Sequence, residues 1–164
     1  MNWYDFNQNN SGGYFDVNDK VCHRLFIEAK SFDDAVKKAE ELGCYWDGVN
    51  KGVGCPCCGD RWHKWSDDPI NIEEGYSVCS YGGICKDTIT MWNEKYGSYE
   101  VIEEPIWKKE YGIREYAGRI KFRNIEEYAQ FVADEYGWTV PDVRIYYHDG
   151  NVKEIFSKKM TISD

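Results

Sequence analysis

The chain has 164 residues, a net charge of −9 and a hydrophobic content of 42%. This length predicts one domain, or one domain with a small satellite, and the hydrophobic content is enough for a packed core. The acidic charge disfavours binding to the phosphate backbone of duplex nucleic acid. No stretch of 18 apolar residues and no charged start followed by an apolar run occurs, so we expect neither a membrane span nor a secretory signal. The expected compartment is a reducing cytoplasm, where the seven cysteines would be thiols or metal ligands rather than disulfides.

The first third of the chain predicts strands followed by a helix. Short strands are expected over residues 3–7, 13–17 and 21–29. A helix over about 31–43 follows, because Ser31 is a good N-cap, acidic residues occupy the first turn, and Gly43 is a natural stop. Apolar residues at helical spacing predict its buried face, namely Phe32, Ala35, Val36, Ala39 and Leu42.

The middle of the chain gives weaker signals. A stretch over 44–68 is rich in glycine and cysteine and has no helical or strand period, so it predicts an ordered insertion within a single domain spanning 1–164. Residues 76–92 predict short strands around a turn, with the clearest alternation over 86–92, and residues 98–103 are expected to pair with them.

The C-terminal third predicts a strand over 119–122, a helix over about 124–137 and a hairpin. Asn124 is a good N-cap for this helix, and Glu127 stands in the capping-box position. The hairpin joins 143–147 to 152–156 through an Asp-Gly pair, which is a strong tight-turn signal. Together the elements predict an α+β fold, with a mainly antiparallel sheet and two principal helices packed on it.

Cys55 and Cys58 stand in a Cys-x-x-Cys spacing whose Pro and Gly residues favour a tight turn. Two thiolates in such a knuckle can bind one tetrahedral metal ion, so a structural zinc is a candidate cofactor. The other two ligands would be Cys79 and Cys85, or members of a wider set, namely Cys22, His23, Cys44, Cys57 and His63. Because no second Cys-x-x-Cys exists, unmetallated thiols remain the alternative. A redox role is less favoured, since no strand leads directly into a helix there.

Two polar segments carry candidate ligand-binding residues. Amide side chains both donate and accept hydrogen bonds, which suits a base edge or a hydroxyl-rich ligand. An arginine beside a tryptophan can stack on a planar ligand or bind an anion. The alternatives are an ordinary hairpin loop and a local core in which tryptophans cover the knuckle. The candidate residues are Asn7, Gln8, Asn9, Asn10, Ser11, Arg61 and Trp62.

The same two segments, NQNNSGGYF over 7–15 and DGV through GCPCCGDRW over 47–62, together resemble an uncharacterised family of small tailed-bacteriophage proteins. The resemblance covers the part of the chain up to Trp62 and its immediate surroundings. That family has no assigned activity, so no catalytic residue is carried over. The resemblance implies only a setting, that of a phage accessory protein working in the cytoplasm of the bacterial host.

Motifs for catalysis are poor. The sequence has no Walker loop, no nucleophile elbow and no HExxH motif, and it contains three histidines. By analogy with small acidic phage proteins, we expect a non-catalytic binder that antagonises a host defence, either by sequestering a nucleotide-like signal or by blocking a defence protein. The alternatives are a zinc- or thiol-containing enzyme acting on a nucleotide or host protein, and a structural component of the virion. A homo-oligomer is compatible with the expected edge strands.

Overall fold

A computed structural model describes residues 1–9, 15–52, 59–63, 67–72, 76–79, 100–103, 108–109, 112–113, 117–136 and 141–158. The chain divides into two compact units, one formed by 1–70 with 129–164 and the other by 71–128. Two compact units can form within one folding domain, so the single-domain prediction stays a prediction. None of the helices in the described part of the chain is long and apolar enough to cross a membrane.

The elements follow one another as strands with two interspersed helices. In chain order they are β1 (Asn2–Gln8), β2 (Arg24–Ala29), α1 (Phe32–Leu42), β3 (Trp62–His63), β4 (Tyr76–Cys79), β5 (Glu100–Glu103), β6 (Lys108–Lys109), β7 (Gly112–Ile113), β8 (Ala117–Lys121), α2 (Ile125–Tyr136), β9 (Val143–Tyr146) and β10 (Val152–Ile155).

The larger unit contains a five-stranded sheet in the order β10-β9-β2-β1-β3. Its neighbouring strands are antiparallel except for β2 and β9, which run parallel with Ile27 opposite Tyr146. The prediction of an α+β fold with a mainly antiparallel sheet and two helices is therefore confirmed. The parallel pair matters for function, because it brings the carboxyl ends of two adjacent strands to the same edge of the sheet.

Helix α1 forms where its terminal signals predict it. The Ser31 hydroxyl accepts the backbone N–H of Asp34 at 3.2 Å, which satisfies one of the unpaired donors of the first turn. At the other end Gly43 adopts φ +114°, and its N–H donates to the carbonyl of Glu40 at 3.1 Å. A residue with a Cβ rarely adopts that backbone conformation, so glycine ends the helix at low cost.

The core of the larger unit lies between α1 and one face of the sheet. Successive strand residues point to opposite faces, so alternate residues of β1 and β2 meet the alanines of the helix. Small helical residues allow the helix to approach the sheet closely, and larger strand residues fill the space between them. The buried members are Tyr4, Phe6, Leu25, Ile27, Ala29, Ala35 and Ala39, together with Val21, Cys22, Cys44, Trp62 and Tyr146.

A buried polar pair lies at the edge of this sheet where β2 and β9 begin. His23 and Asp142 are fully buried, and 2.8 Å separates His23 Nδ1 from Asp142 Oδ1. The backbone continues the link, because the N–H of Arg24 donates to the carbonyl of Asp142 at 3.1 Å. The ring of Phe15 packs against the imidazole with 4.0 Å between centroids. This pair joins two segments that are far apart in the sequence.

Helix α2 also begins at its expected cap. Asn124 Oδ1 accepts the backbone N–H of Glu127 at 2.9 Å. The Glu127 carboxylate accepts two hydrogen bonds from Arg123, one from its backbone N–H at 3.1 Å and one from its side-chain Nε–H at 2.6 Å. In a standard capping box the glutamate would bind the backbone N–H of the N-cap residue itself, whereas here it binds that of the preceding residue.

In the smaller unit, β4, β8 and β5 form an antiparallel sheet in that order, and β6 pairs with β7.

One strand prediction is wrong in its described part, and another concerns residues that the structure does not describe. Residues 15–17 of the expected strand over 13–17 form no strand, because the N–H of Asp16 donates to the side-chain carbonyl of Gln8 at 2.8 Å instead of to a neighbouring strand. The expected strand over 86–92 lies outside the described residues. Its expected partner is observed as β5, and β5 pairs with β8.

Candidate functional site

Four of the ligand-binding residues expected from the sequence lie together. The pairing of β1 with β3 places Asn7 opposite His63 and Gln8 opposite Trp62. The backbone N–H of Asn9 then donates to the carbonyl of Arg61 at 2.6 Å. Asn7, Gln8, Asn9 and Arg61 therefore share one edge of the sheet, at the end of β1. Asn10 and Ser11 lie outside the described residues.

The polar groups at this edge bind one another. Arg61 Nη1 donates to Gln8 Oε1 at 3.3 Å, and its Nε lies 3.2 Å from Asp16 Oδ2. Gln8 Nε2 donates to the carbonyls of Asp16 and Cys22, both at 2.7 Å. These bonds fasten the segment before β2 to the end of β1. Their observed role is to organise the chain, and the assignment of a ligand to them stays a prediction.

Trp62 is 2% exposed and belongs to the core beneath α1. A ring that is buried on all sides presents no surface on which a planar ligand could stack. In this structure Trp62 therefore belongs to the core of the larger unit, while the knuckle that the alternative has tryptophans cover lies outside the described residues. The Trp62 side chain has too little exposed surface to support its assignment as a ligand-binding residue.

The cysteines expected to bind zinc are described only in part. Cys55, Cys58 and Cys85 lie outside the described residues, and of Cys79 only the backbone, in β4, is described. Among the residues that are described, no group of three His, Cys, Asp or Glu side chains is arranged to hold a metal ion. The zinc site stays a prediction.

Two described cysteines are buried thiols. Cys22 and Cys44 lie in the core of the larger unit. Burial raises the pKa of each thiol to about 12, because a thiolate is poorly solvated among apolar side chains. Both sulfurs are therefore protonated at neutral pH and are poor nucleophiles.

A crevice of about 320 Å³ lies at the carboxyl ends of β2 and β9. Ligands of sheets with parallel strands commonly bind outside the carboxyl ends of those strands, because the loops that follow diverge there and leave a gap. In this chain β2 leads into α1, and β9 leads into the turn of the hairpin. The gap between these two connections is the candidate functional site, which we call the β2–β9 crevice.

Specific hydrogen bonds hold the turn beside the crevice. The N–H of Tyr147 donates to the carbonyl of Asn151 at 2.9 Å, and Gly150 adopts φ +95°. Glu28, near the end of β2, accepts the backbone N–H of His148 at 3.0 Å. That bond ties the turn to the neighbouring strand, so one wall of the crevice is fixed before any ligand arrives.

Two tyrosines, Tyr146 and Tyr147, are among the residues that line the crevice. The Tyr146 hydroxyl donates to the carbonyl of Lys20, and burial raises the pKa of this phenol, so it stays protonated. The ring of Tyr147 packs nearly perpendicular to Trp3, with 5.4 Å between centroids. Each ring is therefore held by a contact outside the crevice, which leaves its orientation little freedom.

Charged side chains of both signs line the same crevice. Lys30 precedes the N-cap of α1, and Lys38 lies on the helix with its ammonium 5.9 Å from the Tyr146 ring centroid. Within the described part of the chain, neither lysine forms an ion pair. Glu28 and Asp34 supply two carboxylates. The arrangement suits a ligand that carries an anionic group together with hydrogen-bond donors.

Sequence reasoning did not find the β2–β9 crevice. Its lysines and tyrosines belong to two segments that look like ordinary strand and helix ends, and no short motif links them. Local patterns predicted only the parts beside the crevice, namely the change from strand to helix at Ser31 and the tight turn at Gly150. Only the pairing of β2 with β9 brings the two segments together.

Comparison with known families gives one match. A family model described as a domain of unknown function, DUF7296, matches residues 1–116 of the 164. The chain belongs to the DUF7296 family. No curated protein and no solved structure matches it. The matched region of this DUF7296 chain includes β2 and α1 on one side of the crevice, whereas β9 and its turn come from residues beyond the match. Membership brings no activity with it, so function must be argued from the geometry.

Proposed function

We propose that this chain is a non-catalytic binding protein that sequesters a small, anionic, nucleotide-like ligand in the β2–β9 crevice. In this proposal it is a phage accessory protein that acts in the bacterial cytoplasm and counters a host defence by removing a signal. The supporting observation is the crevice itself, where two lysines without ion pairs among the described residues and two tyrosines surround one cavity of about 320 Å³. The resemblance to small tailed-phage proteins supplies the biological setting.

The size and the chemistry of the crevice agree with this class of ligand. Pockets for small molecules enclose roughly 300–1,000 Å³ and combine apolar walls with a few polar groups. The walls here include Ile27, Ala29 and Tyr146, which supply apolar surface for part of a ligand. The ammonium groups of Lys30 and Lys38 suit a phosphate, whose oxygens accept charge-assisted hydrogen bonds.

The residues that line the crevice favour binding without turnover. The histidine among them, His148, is exposed on the hairpin turn. The two described thiols that could act as nucleophiles are Cys22 and Cys44, and both are buried and protonated. A catalytic centre would need a nucleophile and a base within hydrogen-bond reach of one another, and the lining residues do not provide that pair.

The test is to recover the ligand from cells. The protein is expressed in bacteria that have an active nucleotide-signalling defence, purified and heated, and the released small molecules are identified by mass spectrometry. We expect about one equivalent of an intact molecule with the wild type, and a large loss with Lys38→Gln. Lys37→Gln is the matched control, because Lys37 is exposed on the same helix but does not line the crevice.

The other results each point elsewhere. Release of a chemically altered signal would contradict a non-catalytic role and favour an enzyme. Absence of any small molecule would contradict sequestration and favour a protein target, and a pull-down from host lysate would then identify the partner. Equal recovery from the Lys38 and Lys37 variants would remove the site from the β2–β9 crevice.

A further inference from the structure

The five-stranded sheet ends at β10, which has β9 as its neighbour in the described part of the chain. Three successive residues of this strand are exposed, namely Val152, Lys153 and Glu154. An edge strand presents backbone N–H and C=O groups that its own sheet does not pair. The outer side of β10 at these residues, which we call the β10 edge, is therefore a surface on which another extended chain can add a strand.

The hydrogen bonds between β9 and β10 decide which backbone groups are unpaired at this edge. The N–H of Tyr147 donates to the carbonyl of Asn151 across the hairpin, and residues of antiparallel strands alternate between bonded and non-bonded positions. The backbone of Lys153, two residues further along, therefore bonds to β9. The N–H and C=O groups of Val152 and Glu154 point away from the sheet, where an added strand can pair with them.

Helix α2 closes one end of this edge. The carbonyl of Phe156, directly after β10, accepts a hydrogen bond from Gln130 Nε2 at 2.8 Å. The backbone N–H of Lys158 donates to Asp134 Oδ1 at 2.7 Å, so the chain that leaves β10 is fastened to the helix. The β10 edge is therefore short, and an added strand must gain specificity from its side chains as well as from backbone bonds.

Side chains of opposite charge follow one another along the β10 edge. Glu154 points to the face of the sheet that carries Arg144, whose Nε lies 3.7 Å from Glu154 Oε1, and 47% of the Glu154 side chain stays exposed. Lys153 points to the other face, and it forms no ion pair within the described part of the chain. Val152 and Phe156 flank Glu154 and are 50% and 47% exposed. A partner strand would thus meet apolar surface and two separate charges.

A second copy of this chain is a poor partner for the β10 edge. Two identical antiparallel strands pair about a two-fold axis normal to the sheet, so each side chain stays on its own face. Lys153 therefore cannot lie opposite Glu154 of the other copy. The pairing that bonds every outward backbone group brings Lys153 opposite itself, and the next register in one direction brings Glu154 opposite itself. The next register in the other direction pairs Val152 with itself and leaves the backbone of Glu154 beside a turn. Like charges directly opposite one another destabilise a strand pair.

We propose that the β10 edge binds an extended segment of a different protein, antiparallel to β10, with a basic residue opposite Glu154 and an acidic residue opposite Lys153. Read from its amino end, that segment has a basic residue, an acidic residue and then an apolar residue opposite Val152. Main-chain bonds provide affinity, as in other complexes where a peptide adds a strand to a sheet edge. The two charge pairs set the register and exclude other partners. The β2–β9 crevice takes no part in this interaction.

The test is a titration of the isotope-labelled wild-type chain with two synthetic peptides, followed by amide NMR signals. The matched peptide is Thr-Val-Thr-Arg-Glu-Val-Thr, blocked at both ends, and the exchanged peptide has its Arg and Glu transposed. We expect the amide signals of Val152 and Glu154 to shift most, because the amide of Lys153 is already bonded to β9. The exchanged peptide should bind about tenfold more weakly, since both cross-strand pairs then become like-charge pairs.

A charge exchange in the protein provides the reciprocal test. The double variant Lys153→Glu with Glu154→Lys should prefer the exchanged peptide and keep the same net charge. The matched control is Lys37→Glu with Glu41→Lys, which makes the same exchange on the exposed side of α1 and should leave the original preference intact. If the double variant at the β10 edge fails to fold beside Arg144, the comparison of the two peptides on the wild type still decides.

Three results would overturn the proposal. Equal binding of both peptides would show that the charges do not select the partner, and absence of binding at millimolar peptide would show that the edge accepts no strand. Shifts of the Val152 and Glu154 amides with the concentration of the wild type alone would mean that a second copy occupies the edge. None of these results bears on sequestration in the β2–β9 crevice, which recovery of a small molecule from cells tests separately.

Discussion

Removal of one member of the buried pair of His23 and Asp142 should destabilise the protein far more than the contact distance of the pair suggests. Its 2.8 Å separation resembles that of the exposed pair Arg123 and Glu127, at 2.6 Å. The two pairs differ in burial, since His23 and Asp142 are fully buried whereas the Arg123 side chain is 67% exposed and that of Glu127 10%. Water competes with the exposed pair and cannot reach the buried one.

The perturbation is removal of one partner at a time. His23→Leu leaves the Asp142 carboxylate buried without its imidazole partner, and Asp142→Leu does the same to the imidazole. Breaking a buried pair in this way costs about 3–5 kcal/mol. Loss of an exposed pair costs about 0–1 kcal/mol, so Arg123→Ala is the matched control. The doubly substituted protein should be destabilised by less than the sum of the two single changes, because neither polar group is then left alone.

The assay is urea-induced unfolding at fixed pH, followed by tryptophan fluorescence. The comparison of single and double variants also removes side effects of each leucine, including the lost contact between Phe15 and the imidazole. The reasoning would be refuted if either single variant lost less than about 1 kcal/mol, or if the losses simply added in the double variant. Either result would mean that burial does not amplify this interaction.

Four other predictions concern the buried thiols and the helix ends. At pH 7 a thiol-alkylating reagent should label Cys22 and Cys44 only after unfolding, as peptide mapping by mass spectrometry would show; native labelling would contradict their burial. The pKa of each thiol is about 12 in the folded protein and 9.0 ordinarily, so the unfolded protein loses its thiol protons at lower pH than the folded protein. The free energy of unfolding should therefore fall as the pH rises from 9 towards 12. Asn124→Ala should cost about 1 kcal/mol in thermal unfolding through loss of the N-cap of α2, and an unchanged midpoint would dismiss the cap. Gly43→Ala should cost about 1 kcal/mol, because alanine is strained at φ +114°, and circular dichroism on heating would detect it.

Local signals predicted the elements that depend on near neighbours. The N-cap at Ser31 and the stop at Gly43 gave α1 to within about one residue at each end, since the capping bonds join residues three or four positions apart. The Asp-Gly turn gave the β9–β10 hairpin for the same reason. The strand expected at 13–17 failed in its described part, because the side chain of Gln8 takes the hydrogen bond that a neighbouring strand would have supplied.

The sequence singled out Gln8, Asn9 and Arg61 as candidate ligand-binding residues because two polar segments stood out by composition, and the structure places these residues side by side. The sequence left open whether Trp62 would bind a ligand or join a local core, since an aromatic side chain serves a core and a binding surface equally well. Burial depends on what surrounds a residue, and the core cluster that contains Trp62 draws its members from distant parts of the chain.

By itself the sequence determined the α+β class, both helices with their caps, and the hairpin, because hydrophobic period, capping and turn chemistry act over a few residues. Only the tertiary structure decided that β2 pairs in parallel with β9, and hence that Lys30, Lys38 and Tyr147 face one crevice. That pairing joins segments separated by most of the chain. It is selected by the packing of the whole sheet, which no local pattern encodes.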